Sequence, residues 1–140
     1  MKKIVFVCLG NICRSPMAEF VMKSLTDQLK IESRATSSWE HGNPIHRGTQ
    51  AIFKKYASAY DRNKTSQQIS AADFADFDYV IGMDESNVRD LKRMAPEDFQ
   101  HKIYQFEEES VPDPWYTGDF DQTYDLVLAG CKKWLERLDG

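Results

Sequence analysis

The sequence predicts an α/β fold: a mostly parallel sheet with helices on both faces. Two short apolar runs without polar alternation, Ile4-Val5-Phe6-Val7-Cys8 and Tyr79-Val80-Ile81-Gly82-Met83, have the composition of strands buried on both faces. Amphipathic stretches of helical period separate such runs, and strands separated by helices are joined by crossovers that make them parallel. Ligands of such sheets bind outside the carboxyl ends of the strands, and Cys8 lies at one of these ends.

The elements follow in order. After the first strand, Met17, Phe20, Val21, Ser24, Leu25 and Leu29 recur at three and four residues, as one face of a helix does. Ile31 to Ser37 reads as a weaker strand, and Thr49 to Tyr60 as a helix with Ile52, Phe53 and Tyr56 inward. Asp84 starts a helix after the third strand, and Lys102 to Phe106 is the last strand. Phe120, Tyr124, Val127, Leu128, Cys131, Trp134 or Leu135, and Leu138 mark a long closing helix. The remainder of Asn43 to Gln68 and the stretch from Glu107 to Thr123 read as irregular, the kind of loop that lines a site. With no internal repeat or linker, residues 1–140 are expected to form one domain.

Composition narrows the function. Apolar residues make up 41% and charged residues 29%, which excludes disordered and low-complexity classes. No apolar run approaches the roughly 18 residues of a membrane-spanning helix, so no membrane partner is expected. Met1-Lys2-Lys3 and the apolar residues after them mimic a secretory start, but Asn11 and Arg14 interrupt the run and no small-x-small site follows. A cytoplasmic protein is expected. Cys8, Cys13 and Cys131 are an odd number of cysteines, which argues for reduced thiols. His41, His46 and His101 show no metal-ligand spacing, so neither metal nor cofactor is expected. Net charge is −4, and Glu107, Glu108, Glu109, Asp113, Asp119, Asp121 and Asp125 form an acidic stretch without Lys or Arg. The balance supplies no basic stripe, so nucleic acid is excluded as a partner.

The informative segment is Cys8-Leu9-Gly10-Asn11-Ile12-Cys13-Arg14-Ser15-Pro16, between the first strand and the first helix. A Cys followed six residues later by Arg arises by chance about 0.15 times in a chain of this composition, so context must carry the reading. A strand-to-helix turn aims successive backbone N–H groups at one point, where the helix dipole adds positive potential. Gly10 and Asn11 are the residue types that most readily take positive φ, which a loop curled around an anion demands. Pro16 sits near the first helical turn, where a missing N–H costs little. Arg14 grips two oxygens of a phosphoryl group at once. Dipoles and Arg14 together favour Cys8 as thiolate, the form that attacks phosphorus. Burial alone would explain Cys8 but leaves Gly10, Asn11, Arg14 and Ser15 without a use. The Gly-Lys-[Ser/Thr] ending of a nucleotide-binding loop is absent.

The run Phe6 to Glu19 closely resembles the signature of the low-molecular-weight protein tyrosine phosphatases. Asp84-Glu85-Ser86-Asn87, Asp113-Pro114-Trp115-Tyr116 and the terminal helix fall in that family's order, so the likeness spans nearly the whole chain. The resemblance implies a three-layer fold with a four-stranded parallel sheet and a phosphate-binding loop after strand 1. It also implies hydrolysis of phosphotyrosine in proteins or peptides through a cysteinyl-phosphate, no metal, and inhibition by oxyanions such as phosphate or vanadate.

By position, Cys8 resembles the nucleophile, Arg14 the phosphate clamp, and Asp113 the acid that protonates the leaving phenolate and then serves as base. Pro112 and Pro114 restrict the backbone around Asp113 independently of any resemblance. Leu9, Gly10, Asn11, Ile12, Cys13 and Ser15 complete the phosphate-binding loop. Ser15 resembles the hydroxyl that donates to the sulfur, Asn11 and Ser33 the polar pair that holds the loop, and Asp84 a support beneath Arg14. Trp39, Trp115 and Tyr116 resemble the walls of an aryl-phosphate slot. The chain carries Lys64 and Gln67 where family members often have His and Arg, just before the Ser70-x-x-Asp73-Phe74 helix start. Cys13 is placed to form a reversible disulfide with Cys8. An arsenate reductase shares the Cys-x5-Arg loop but needs further relay cysteines, and none lies between Cys13 and Cys131. A silent phosphotyrosine-binding module would keep the loop and lack Asp113.

Overall fold

Four parallel strands in the order β2-β1-β3-β4 form the centre of the computed structural model, which describes residues 1–139. They are β1 (Lys2–Cys8), β2 (Leu29–Ala35), β3 (Tyr79–Gly82) and β4 (Ile103–Gln105). The helices are α1 (Arg14–Leu25), α2 (Arg47–Lys55), α3 (Ala71–Asp76), α4 (Glu85–Met94), α5 (Pro114–Thr117) and α6 (Phe120–Asp139), with a 3-10 turn at Glu97–Lys102.

β1 takes the centre because its side chains tolerate burial on both faces: Ile4, Val5, Phe6 and Val7 are wholly buried. It pairs with β2 so that Phe6 lies opposite Ser33, and with β3 so that Val7 lies opposite Gly82. Alternation along the strand sends Ile4, Phe6 and Cys8 to the face covered by Met17 and Phe20 of α1, Phe53 of α2 and Val127 of α6. Val5 and Val7 point the other way, onto Phe74, Phe77 and Leu91 around α3 and α4. This is the three-layer arrangement expected. The core rests on apolar burial, and truncating a wholly buried Phe6 to Ala would cost about 3–5 kcal/mol.

Strand order also fixes where a ligand belongs. β1 has β2 on one side and β3 on the other, so the chain order reverses beside it and leaves a crevice at its carboxyl end. Cys8 is its last residue.

Element boundaries depart from the sequence reading at α1, β2, α2 and α5. α1 ends at Leu25 because Thr26 is extended (φ −155°, ψ 148°), and Leu29 opens β2 opposite Lys2 instead of continuing the helical face. β2 therefore ends at Ala35, and Thr36 and Ser37 donate their N–H groups to the carbonyls of Cys8 and Leu9. α2 begins at Arg47, where His46 Nδ1 accepts from the Gly48 N–H at 2.9 Å, and stops before Ala57, whose φ is +52°. Tyr60 lies beyond the helix yet stacks on Phe53, which explains its place in the apolar periodicity. Within the stretch expected to be irregular, Pro114–Thr117 forms α5, and α6 opens at Phe120, the first residue expected of the closing helix.

Candidate active site

The loop after β1 wraps around the Cys8 sulfur. Asn11 turns the chain at φ +56°, which brings its own N–H to 3.3 Å from Cys8 Sγ. Gly10 does not share the positive φ expected of it. A Cβ there would sit 3.3 Å from Cγ of Glu40, a tight contact that asks the Glu40 side chain to give way by a few tenths of an ångström. The N–H groups of Leu9, Gly10, Ile12 and Cys13 donate to no acceptor among the described residues, so this stretch carries several free donors.

Ser15 lies in the first turn of α1 and caps nothing; its Oγ stands 3.1 Å from Cys8 Sγ. Asn11 holds the turn from three directions. Its Nδ2 donates to Ser15 Oγ at 2.8 Å and to Ser33 Oγ at 3.0 Å, while its Oδ1 accepts from the Gln67 N–H at 3.2 Å. Gln67 thus joins the network through its backbone, which is open to any residue but proline.

Arg14 reaches back from α1 with its side chain almost fully buried. One terminal nitrogen donates to Asp84 Oδ2 at 2.6 Å and to the Val111 carbonyl at 2.8 Å, and the other lies 3.5 Å from Asp113 Oδ2. Burial opposes its charge, but Cys8, Asp84 and Asp113 outweigh that and hold the guanidinium above its ordinary range. Its Nε is buried without a partner. A buried donor left unpaired beside free amides is a demand for an anion.

Asp113 caps α5, with Oδ1 accepting from the Trp115 N–H at 3.0 Å and the second oxygen turned toward Arg14. Pro114 at the first helical position fixes the approach of this short turn.

Cys8, Leu9, Gly10, Ile12, Cys13, Arg14, Trp39, Asp113, Trp115 and Tyr116, all anticipated from the sequence, line one cavity of about 240 Å³. Trp39 and Tyr116 are 78% exposed and Trp115 is 56% exposed, so they form an aromatic rim around a buried floor. The edge of His46 meets the Trp115 ring at 5.5 Å, and His46 stacks on Phe120. Ser33, Ser15 and Asp84 stand behind the loop, as supports would.

Three residues make contacts at the site to which the sequence reading assigns no role: Glu40, Glu19, which it names only as the end of the signature run, and Lys64, which it names only as a departure from the family pattern. Glu40 lines the cavity, held by Asn43 Nδ2 at 2.6 Å. Glu19, on the buried side of α1, accepts from Ser33 Oγ at 2.5 Å. Lys64 approaches Glu19 to 3.5 Å and donates to the Ser33 carbonyl at 2.9 Å. A Glu within a motif is legible as present but not as buried, and nothing in the sequence pairs it with Lys64. Among the described residues no group of three His, Cys, Asp or Glu side chains is arranged to hold a metal ion.

The arrangement combines a sulfur ringed by donors, a guanidinium and a carboxylate at the mouth of a slot with aromatic edges. Such a site can bind a tetrahedral oxyanion, attack it and protonate what leaves. Comparisons with known proteins agree with this chemistry. The family model for low molecular weight phosphotyrosine protein phosphatase matches residues 3–140. The low molecular weight protein-tyrosine-phosphatase PtpA of Staphylococcus aureus is 45% identical over 141 residues, with 94% of this chain and 90% of that protein covered. The crystal structure of SP-PTP, a low molecular weight protein tyrosine phosphatase from Streptococcus pyogenes, is 62% identical, covers 99% of this chain and 93% of that one, and superposes with a TM-score of 0.97. YfkJ from Bacillus subtilis follows at 38% identity, 99% and 95% coverage, and a TM-score of 0.91. The chain belongs to the low molecular weight phosphotyrosine protein phosphatase family.

Proposed function

We propose that this protein, as one phosphatase domain, hydrolyses phosphotyrosine in proteins or peptides in two steps through a cysteinyl-phosphate. In the first, the Cys8 sulfur attacks phosphorus in line with the ester oxygen. The S–P bond forms, the P–O bond to the ring breaks, and Asp113 gives its proton to the departing phenolate. In the second, Asp113 takes a proton from water as that water attacks phosphorus, and the S–P bond breaks to release inorganic phosphate. Such proton transfers are worth about 10²–10⁴ in rate. Arg14 and the loop N–H groups hold the equatorial oxygens, and their fixed dipoles stabilise the charge that develops there.

The observation that carries this reading is the convergence of Cys8, Arg14 and Asp113 on one cavity, with Arg14 3.5 Å from Asp113. The aromatic rim supports an aryl ester, since a flat ring fills the slot between Trp39, Trp115 and Tyr116. Two rivals fare worse. A thiol-relay arsenate reductase requires an accessible further cysteine, whereas Cys131 is wholly buried, with Sγ against the Ala18 carbonyl at 3.7 Å. A silent binding module has no use for Asp113 at the mouth. The unpaired state of all three cysteines supports a cytoplasmic setting.

The test is release of p-nitrophenol from p-nitrophenyl phosphate, its inhibition by vanadate, and its fall to background in Cys8→Ser. Turnover that survives this substitution overturns the proposal, and arsenate-dependent oxidation of thioredoxin replaces it with the relay reading.

A further inference from the structure

We infer that His46 is a positioning residue that holds Asp113 over the phosphate loop, its backbone fixed to that loop and its ring set against Trp115. This role rests on Asp113 being the acid of the proposed reaction.

Asp113 has few ties of its own. Its Oδ2 lies 3.5 Å from Arg14, whereas a sound N–H···O bond spans about 2.7–3.2 Å. A carboxyl that must carry and release a proton gains from that looseness, because a close guanidinium would hold it ionised. Its other oxygen accepts the Trp115 N–H at 3.0 Å, so the carboxyl goes where Trp115 goes. α5 is four residues long, and its backbone hydrogen bonds close on Asp113 and Pro114 within the same turn. Buried Pro114 anchors one side of that turn, whereas Trp115 is 56% exposed. Among the described residues, the one aromatic ring that meets Trp115 is that of His46, in a T-shaped contact at 5.5 Å.

His46 is itself held at backbone and ring. Its N–H donates to the Ile12 carbonyl of the phosphate loop at 2.9 Å, and its carbonyl accepts from the Gln50 N–H at 3.0 Å. Nδ1 accepts from the Gly48 N–H at 2.9 Å, which requires that nitrogen without a proton and fixes the rotation of the ring. One face of the ring lies on Phe120 at 5.2 Å, with the two planes 15° apart. Phe120 reaches that place because residue 48 is glycine: a Cβ there would meet the Phe120 ring at 2.5 Å. Ile12, His46, Trp115 and Asp113 thus form a short chain of contacts from the floor of the cavity to its mouth. The chain sets where the carboxyl stands relative to the sulfur. A plain apolar residue would fill the space beside Trp115 but would not cap α2, and an Asn would cap α2 but leave Trp115 without a wall.

That division of labour is the test. His46→Asn keeps an acceptor for Gly48 and has no ring, His46→Phe keeps a ring and has no acceptor, and Gly48→Ala pushes on Phe120. Each is checked for folding by circular dichroism. The readout is kcat/KM for phenyl phosphate and for p-nitrophenyl phosphate, which reports the step that releases the phenol. A misplaced acid harms the poorer leaving group more. His46→Asn and Gly48→Ala are expected to lower kcat/KM for phenyl phosphate about 3- to 30-fold more than for p-nitrophenyl phosphate, in the range of a catalytic group about 1 Å out of place. His46→Phe is expected to restore most of the parent ratio. In the Trp115→Ala background, where the chain is cut, His46→Asn is expected to add little. An unchanged ratio in folded His46→Asn overturns the inference, as does a ratio that His46→Phe shifts just as far, or an equal effect of His46→Asn with and without Trp115. Should His46→Asn not fold, Trp115→Ala decides, since that side chain is exposed and an unchanged ratio there breaks the last link. Asp113→Asn is measured alongside. An equal loss for both esters in that variant is a failure of the mechanism, whereas a larger loss for phenyl phosphate there, with no shift in His46→Asn, is a failure of the positioning role alone.

Discussion

Asp84 binds Arg14 with one carboxylate oxygen at 2.6 Å and caps α4 through the other, which accepts the Asn87 N–H at 2.7 Å. A single side chain thereby joins the phosphate clamp to the helix that follows β3. The two duties separate by substitution. Asp84→Asn keeps an oxygen for the cap but loses the charge opposite Arg14; Asp84→Ala loses both. A cap is worth about 1 kcal/mol, and a charge-assisted hydrogen bond about 1.5–3 kcal/mol. Asp84→Asn is expected to keep nearly the parent thermal stability while vanadate inhibition weakens about 10- to 100-fold, and Asp84→Ala to lose in both. Equal inhibition constants for parent and Asp84→Asn would remove Asp84 from the clamp.

Asp113 is tested through the leaving group. A phenolate that leaves poorly needs the proton more than p-nitrophenolate does. Asp113→Asn is therefore expected to lower kcat about 10²–10⁴-fold for phenyl phosphate and distinctly less for p-nitrophenyl phosphate. The same loss for both esters would make its role structural, as the cap of α5.

Glu40 and Asp113 line the cavity and place negative charge at the slot. Phosphotyrosine peptides with acidic flanks are expected to show lower kcat/KM than neutral or basic ones at low salt, and Glu40→Gln is expected to narrow the gap. Single contacts of this kind are worth about 0.2–1 kcal/mol, so the effect is at most about fivefold each and fades as salt rises. Equal kinetics across the peptide set would show that flanks do not meet this surface.

Burial pushes the Cys13 thiol up, with Cys8 and Asp113 adding to the effect and Arg14 and Thr49 opposing it, so Cys13 stays protonated and leaves the attack to Cys8. Both cysteines line the cavity. After mild peroxide, peptide mapping is expected to find a Cys8–Cys13 disulfide that dithiothreitol reverses, with Cys131 unmodified. Sulfinic Cys8 without any disulfide would exclude the protective role.

Much of this was legible in the sequence because the informative residues are contiguous. Cys8 to Pro16 sits between an apolar run and a helical period, so strand, turn and helix follow from local chemistry, and so does the loop part of the cavity lining, whereas Trp39, Asp113, Trp115 and Tyr116 were marked by the family resemblance. Leu29 misled because its three- and four-residue spacing continues past Thr26, where the backbone has already become extended. Periodicity registers which side chains are buried, and Leu29 and Tyr60 are both packed on the core from outside the helices they seemed to extend. The contacts of Glu19 and Lys64 were not legible because Ser33 and the facing charge are remote in sequence, and Glu40 was not because only the fold brings it to the wall of a cavity built on the loop after β1. Lys64 is 45 residues from Glu19, and only the pairing of β2 with β1 brings Ser33 between Asn11 and Glu19.

The central claim is tested most directly by rapid acid quench of Asp113→Asn during turnover of an aryl phosphate, followed by mass analysis of its peptides. Loss of the group that activates water should let the covalent species accumulate, so one phosphoryl group is expected on the peptide that contains Cys8 and on no other. Turnover with that peptide unmodified, or with phosphate carried on a different residue, would contradict the account.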